Sequence, residues 1–310
     1  MPVFQALFPV IAIAALGYLA RRREWLSAAE ADAIERIAFW FLIPCLLFYG
    51  TATADFPAAI NWQYLLAFYL TVLAVYAAGM ALGKIVFGYN LRGLSVFGMA
   101  GAYSNVTVLG IPIAVEILGQ SAFVPMLLII TFHNIVLYTT GTVLAGWSAN
   151  AGANLGLQLR NIGREMLLNP ISSSLLAGAA WNLLELPTPA PLVATLELLT
   201  RAAVPGAIFA LGAALTRYHI RGEIPAALLI VFIKMLVLPL AMWGMMTLLF
   251  DIDEEWMQAA VLLSCMPVGI SVYVFSRRYE SCETAVAAAI VITALATPLT
   301  LSLVAALILR

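Results

Sequence analysis

Long apolar runs, cut by short polar connections, make up nearly the whole chain. With a window of about 20 residues, the length a helix needs to cross a bilayer's hydrocarbon core, the runs fall at 3–20, 33–53, 62–87, 93–118, 121–147, 167–184, 192–216, 224–249, 256–277 and 284–309. Each is predicted to be a transmembrane helix. The longest polar stretch, Ser148 to Glu165, contains Asn150, Asn154, Arg160, Asn161 and Arg164. It divides the chain into 1–147, a cytoplasmic hinge at 148–166, and 167–310. The first run, Val3 to Ala20, is followed and not preceded by its charges Arg21, Arg22 and Arg23, with no small-residue cleavage site between them. It is therefore read as a retained span and not as a signal peptide.

The fourth run is interrupted. From Ala102 to Pro112 it carries Ser104, Asn105, Thr107, Gly110 and Pro112 in the middle of an otherwise apolar segment. Proline removes a backbone donor and clashes with the preceding turn, so the helix is expected to break or unwind there. Broken backbone at membrane depth survives only when it is buried in protein or lines a wet cavity. The ninth run holds a counterpart, Cys265 to Tyr273 around Pro267. Other spacings repeat as well: Pro9 and Gly17 match Pro170 and Gly178, and Pro9 lies 35 residues before Pro44, as Pro170 does before Pro205. Five spans per half force the second half to be inverted. Weak internal symmetry with inverted topology and paired interrupted helices is the signature of a secondary transporter that binds its substrate near the midplane.

Composition fixes the class. Of 310 residues, 64% are hydrophobic and 10% charged, against roughly 25% charged in soluble domains; this is an all-α polytopic membrane protein. Apart from Arg201, Lys234 and Arg310, the 15 lysines and arginines all lie at connections leading from an odd span to an even one. Those connections are expected to be cytoplasmic, with both termini outside. Cys45, Cys265 and Cys282 are unclustered, so free thiols and no metal site are expected.

Several motifs together resemble the auxin efflux carrier family in its short bacterial form. They are Ser104-Asn105 through Gly110-Ile111-Pro112, Asn169-Pro170, Ala203-Val204-Pro205 through Leu211-Gly212, Lys234 with Pro239, and Met266-Pro267-Val268-Gly269 through Tyr273. The resemblance covers essentially the whole chain. It implies ten transmembrane helices in two inverted five-helix repeats with crossing broken helices at spans four and nine, as in the bile-acid symporter and sodium/proton antiporter type of fold. It also implies a scaffold of spans 1, 2, 6 and 7, often dimeric, against which a transport unit of spans 3–5 and 8–10 moves as an elevator. The long central loop of the plant members is reduced here to Ser148–Glu165.

At such a crossing, half-helix N-termini attract an anion, a carboxylate being the simplest. Ser104, Asn105 and Thr107 before Pro112, and Gly269, Ser271 and Tyr273 after Pro267, are candidate substrate contacts; the alternative is that such small polar groups only pack helix on helix. For Asn105 the resemblance implies substrate contact, since the family's matching asparagine lies at its site. Lys234, near the centre of span eight, is a functional candidate by default. It either balances a carboxylate, substitutes for a coupling cation, or holds the crossing together. His133 and Asn134 sit midway along span five, the histidine either exchanging protons or bonding a carbonyl in the core. Glu116 either carries a proton or snorkels to the interface. Glu197 and Arg201, four apart, are expected to pair along one helix face.

Enzyme motifs are missing: there is no H-E-x-x-H, no intramembrane aspartate pair and no glycine-rich phosphate loop. An intramembrane serine protease around Gly269-Ile270-Ser271 is a distant alternative, weakened by Val272 after the serine. The expected function is alternating-access transport of a small organic anion, malate- or malonate-like or auxin-like, across a bacterial inner membrane. A bile-acid-type sodium symporter or a cation/proton antiporter is the alternative. No cofactor is expected; since no aspartate lies in the transport-unit spans, coupling to protons or none is preferred to sodium. The expected partners are the bilayer, the anion and a second copy through the scaffold, with no nucleic acid.

Overall fold

A computed structural model of the chain describes residues 2–54, 61–119, 123–147, 160, 164, 168–218, 220 and 222–308. Of the predicted hinge at 148–166, only Arg160 and Arg164 fall within them. The described residues form helices and one isolated bridge. In chain order the helices are α1 Pro2–Arg22, α2 Ala28–Ile37, α3 Ile43–Ala52, α4 Trp62–Phe87, α5 Leu91–Ala102, α6 Ile111–Leu118 and α7 Phe123–Trp147. There follow α8 Pro170–Leu183, α9 Ala190–Leu215, α10 Ile224–Phe232, α11 Leu238–Gly244, α12 Glu254–Ser264, α13 Ile270–Arg278 and α14 Glu283–Ile308. Among the described residues, five helical stretches are long and apolar enough to cross a membrane: Trp62–Phe87, Phe123–Gly146, Ala190–Leu215, Ile224–Leu249 and Glu283–Val304. The chain is thus an all-α membrane protein.

Local chemistry sets the helix starts. Asn61, Asn90 and Asn169 each turn a side-chain oxygen onto an N–H of the first turn, at 2.9–3.0 Å, and Pro170 follows its cap at the position where a missing N–H costs nothing. Ser27 and Glu30 form a reciprocal capping box, which starts α2 at Ala28, ahead of the predicted 33. The hydropathy window excluded Glu30 and Asp32, but the capping box holds that turn in the helix. Gly88, at φ 68, ends α4 in the left-handed conformation that glycine adopts freely.

Among the described residues, four turns are widened to π geometry: Ala38–Leu42, Val106–Gly110, Ile233–Val237 and Met245–Leu249. The first three end two residues before a proline, Pro44, Pro112 and Pro239. A proline withdraws one N–H and crowds the carbonyl four residues back; a wider turn relieves the crowding without ending the helix.

Small residues bring the backbones together. A Cβ on Gly17 of α1 would stand 2.1 Å from the Phe209 carbonyl oxygen of α9, and one on Gly212 of α9 would stand 2.0 Å from that of Ala14 in α1. Gly178 of α8 meets the Phe48 carbonyl of α3 in the same way, at 2.7 Å. Such contacts let membrane helices gain dispersion energy where no water is left to expel. At one end of the bundle Arg217, beyond α9, pairs with Asp32 and Glu35 of α2. The predicted Glu197–Arg201 pair does not form: Glu197 accepts instead from the Tyr49 hydroxyl of α3 at 3.1 Å, and among the described residues no ion pair joins it to Arg201. The three cysteines are free.

Candidate functional site

Two helices stop short and restart, and their interruptions lie side by side. The first separates α5 from the π turn leading into α6. Tyr103 is extended, Ser104 forms the bridge, and Asn105 has φ −75 and ψ 63. The expected break at Pro112 is displaced. The chain leaves the helix at Tyr103, and Pro112 falls second in α6, behind the wide turn that accommodates it. The second interruption separates α12 from α13 and is centred on Pro267, with Gly269 extended at φ −66 and ψ 137.

The two segments pair as a minimal antiparallel ladder, Ser104 against Val268. The Asn105 N–H donates to the Pro267 carbonyl at 2.9 Å, and the Gly269 N–H to that of Tyr103 at 3.2 Å. The Val268 N–H is taken by the Thr293 hydroxyl of α14 at 3.1 Å. Backbone that leaves a helix in an apolar bundle must find such partners, and here each interruption supplies them to the other. Glycine is required at 269, since a Cβ there would stand 2.5 Å from the Tyr103 ring.

Lys234 lies fully buried in the π turn after α10. Its ammonium donates to the Ser104 hydroxyl at 2.8 Å and to the carbonyl of Ser264, the last residue of α12, at 2.6 Å. The amine therefore sits against the carbonyl end of a half-helix, whose partial negative charge suits a donor of this kind.

The structure brings Ser104, Asn105, Pro267, Gly269 and Lys234 to one crossing. Asn105 is 8% exposed, and its side chain does not cap the turn that follows. Thr107 is half-buried one residue into that turn. Asn134 accepts from the Tyr103 hydroxyl. His133 is fully buried between the Tyr103 and Phe68 rings, centroids 4.8 and 6.1 Å away; neither ring nitrogen makes a hydrogen bond of ordinary geometry among the described residues, and the nearest backbone acting on the ring is that of Ser104. Ser271 takes part through its carbonyl, which accepts from Tyr138 at 2.8 Å. Tyr273 lies further along α13, edge-on to Tyr218. The side chains of Pro112 and Glu116 lie outside the described residues. Sequence reasoning missed Tyr103, Thr293 and the Ser264 carbonyl. A hydroxyl or carbonyl acting on a distant backbone group leaves no spacing to find.

A small cavity of about 50 Å³ approaches the crossing between α2, α9 and Ile270, the first residue of α13. It shares Glu35 and Phe39 with an open cleft bearing Asp32 and Arg217. The opening turns of α13 and of the Val106–Gly110 segment begin beside the pairing; the Val106 and Val272 N–H groups close onto the Ser104 and Gly269 carbonyls, and the other first-turn N–H groups lack an intrahelical acceptor, as at any helix start.

Residues 2–305 match the sequence pattern of a family described as "Membrane transport protein". The chain is also similar to a protein of Rhizobium meliloti (strain 1021) named "Putative malonate transporter", with 27% identity over 288 residues, covering 93% of this chain and 90% of that one. With the family matched from end to end, the chain belongs to the membrane transport protein family, that of the auxin efflux carriers its motifs resemble.

Proposed function

We propose that this protein is a secondary transporter of a small dicarboxylate, malonate- or malate-like, bound at the crossing of the two interrupted helices. The pairing of Ser104 with Val268 carries the reading. It brings the starts of the Val106–Gly110 turn and of α13 together beside Asn105, and the Lys234 amine bonds the Ser104 hydroxyl next to them. Helix N-termini and neutral donors suit an anion, and the relative's printed name points to the same class. Asn105, with Ser104 and Thr107, contacts the substrate; Gly269 and Pro267 shape the backbone; Ser271 offers a further N–H. Lys234 supplies positive charge in place of a coupling cation, and His133 is the candidate for a coupled proton.

In this reading the chain makes ten crossings in two inverted halves, 1–147 and 167–310. Helices α1, α2, α3, α8 and α9 form the scaffold, and the remainder carries the substrate past it as an elevator. A scaffold-mediated dimer, a bacterial inner-membrane location and termini outside the cytoplasm belong to the same reading. The cleft from Arg217 to Ile270 is the approach.

The test is uptake of labelled malonate, malate and indole-3-acetate into proteoliposomes, with and without proton and sodium gradients, alongside Asn105→Ala. Saturable dicarboxylate uptake that Asn105→Ala reduces at least tenfold, an effect of about 1.4 kcal/mol, supports the site. Unchanged binding and uptake in the variant would reject it.

A further inference from the structure

A second, larger cavity lies away from the paired interruptions, at the seam between the helices read as scaffold and those read as transport unit. It lies between α1 and α9 on one side and α6 and α14 on the other, and encloses about 600 Å³. Its walls are aliphatic, with Ile11, Ala15 and Leu19 of α1 facing Ile113 of α6 and Leu295 and Pro298 of α14. The Thr297 hydroxyl in that wall is already spent on the Thr293 carbonyl at 2.7 Å. Such a slot has little to offer a polar guest.

The slot does not end blindly. Tyr18, Leu215, Ile220 and Val291 line both this cavity and an open cleft of about 530 Å³, whose remaining walls include Arg21, Arg22 and Glu24. Two guanidinium groups against one carboxylate leave the mouth cationic. Arg21 also donates to the Leu26 carbonyl at 3.5 Å, which holds it beside the end of α1. The distance fits as well. From Val10 to Arg22 along α1 is about 18 Å at 1.5 Å per residue, slightly more than the roughly 15 Å of hydrocarbon in one leaflet.

We propose that this slot binds an anionic phospholipid of the surrounding bilayer, with one acyl chain along α1 between α9 and α14 and the phosphate at Arg21 and Arg22. Guanidinium forks match phosphate oxygens in pairs, and basic groups at the end of a membrane helix draw anionic headgroups. The chain excludes water from a seam that the helices leave open. The site is independent of the identity of the transported substrate.

The test uses the purified full-length protein in detergent and follows its thermal unfolding with phosphatidylglycerol, phosphatidylcholine of the same acyl chains, and free glycerol 3-phosphate. Phosphatidylglycerol is expected to raise the midpoint by several degrees, phosphatidylcholine by clearly less, and glycerol 3-phosphate not at all. In the double variant Arg21→Gln, Arg22→Gln the preference for phosphatidylglycerol disappears; in Ala15→Phe, which fills the slot, both lipid shifts shrink. Equal shifts by the two lipids, a preference that survives the arginine changes, or a full shift by glycerol 3-phosphate would each overturn the proposal. Should a variant fail to fold, the wild type decides the matter. Phosphatidylglycerol carrying a photoreactive group in its acyl chain must label residues 10–19 or 291–301 in preference to other helices, and labelling without that preference rejects the site.

Discussion

The ammonium of Lys234 stands 2.6 Å from the carbonyl oxygen of Ser264 and 2.8 Å from the hydroxyl of Ser104. One side chain from the α10–α11 helix therefore ties the end of α12 to the opposite interruption. A charge buried among apolar helices persists only with partners of this kind, so the lysine is structural in its contacts whatever it does for the substrate.

Replacing Lys234 by Met keeps the bulk and removes both donors. Each acceptor left bare in the interior costs about 1–3 kcal/mol, so the unfolding midpoint of the purified protein is expected to fall and uptake to be lost. An unchanged midpoint would show that the lysine does not hold the crossing.

Gly269→Ala places a methyl group 2.5 Å from two ring carbons of Tyr103. The ring is anchored through its hydroxyl to Asn134 and has little freedom to retreat. Overpacking of this kind costs about 1–3 kcal/mol. A double-mutant cycle with Tyr103→Leu should show coupling of about 0.5–3 kcal/mol, measured by denaturant unfolding; additivity would mean the two residues do not confine each other.

Arg217 has two carboxylates in reach, but its side chain is 44% exposed and those of its partners are 54% and 40% exposed. Exposed pairs of this sort contribute about 0–1 kcal/mol. Arg217→Gln is expected to change stability by less than about 1 kcal/mol, with the difference narrowing as salt is added. A larger, salt-insensitive loss would contradict this.

The first turn of α2 should be acid-sensitive. Glu30 accepts the Ser27 backbone N–H at 2.7 Å, and that bond holds its carboxyl below the ordinary value of 4.5. A lowered folded-state value means that the stabilisation is present above pH 4.5 and is lost as pH falls through the lowered value. Amide exchange in α2 should accelerate over that range in the wild type and show no such step in Glu30→Gln.

Features written in side-chain chemistry were readable. The membrane class follows from composition, and an interruption in the fourth run follows from Ser104, Asn105 and Gly110 standing where leucines would serve. The capping box at Ser27 and Glu30 went unread, because a hydropathy window started the helix only after Asp32. The position of the first break was not legible from proline alone, because a widened turn lets Pro112 remain in helix. Nor were the partners of Lys234 and Val268, since the Ser264 carbonyl is a group every residue owns and Thr293 is one threonine among many. The surroundings of His133 could not have been read at all; they depend on how α7 is turned against Tyr103 and Phe68.

The ladder between the two interruptions bears on how the protein is made. Asn105 and Pro267, whose backbone groups bond at 2.9 Å, are separated by 162 residues, which a ribosome takes roughly 10–30 s to add. Throughout that interval the nascent first half holds an amide and a carbonyl for which its own helices have no partner, and hydrocarbon is a poor place to wait. The early helices therefore need shelter, in water, against each other or in the insertion machinery, until the second half arrives to complete the backbone.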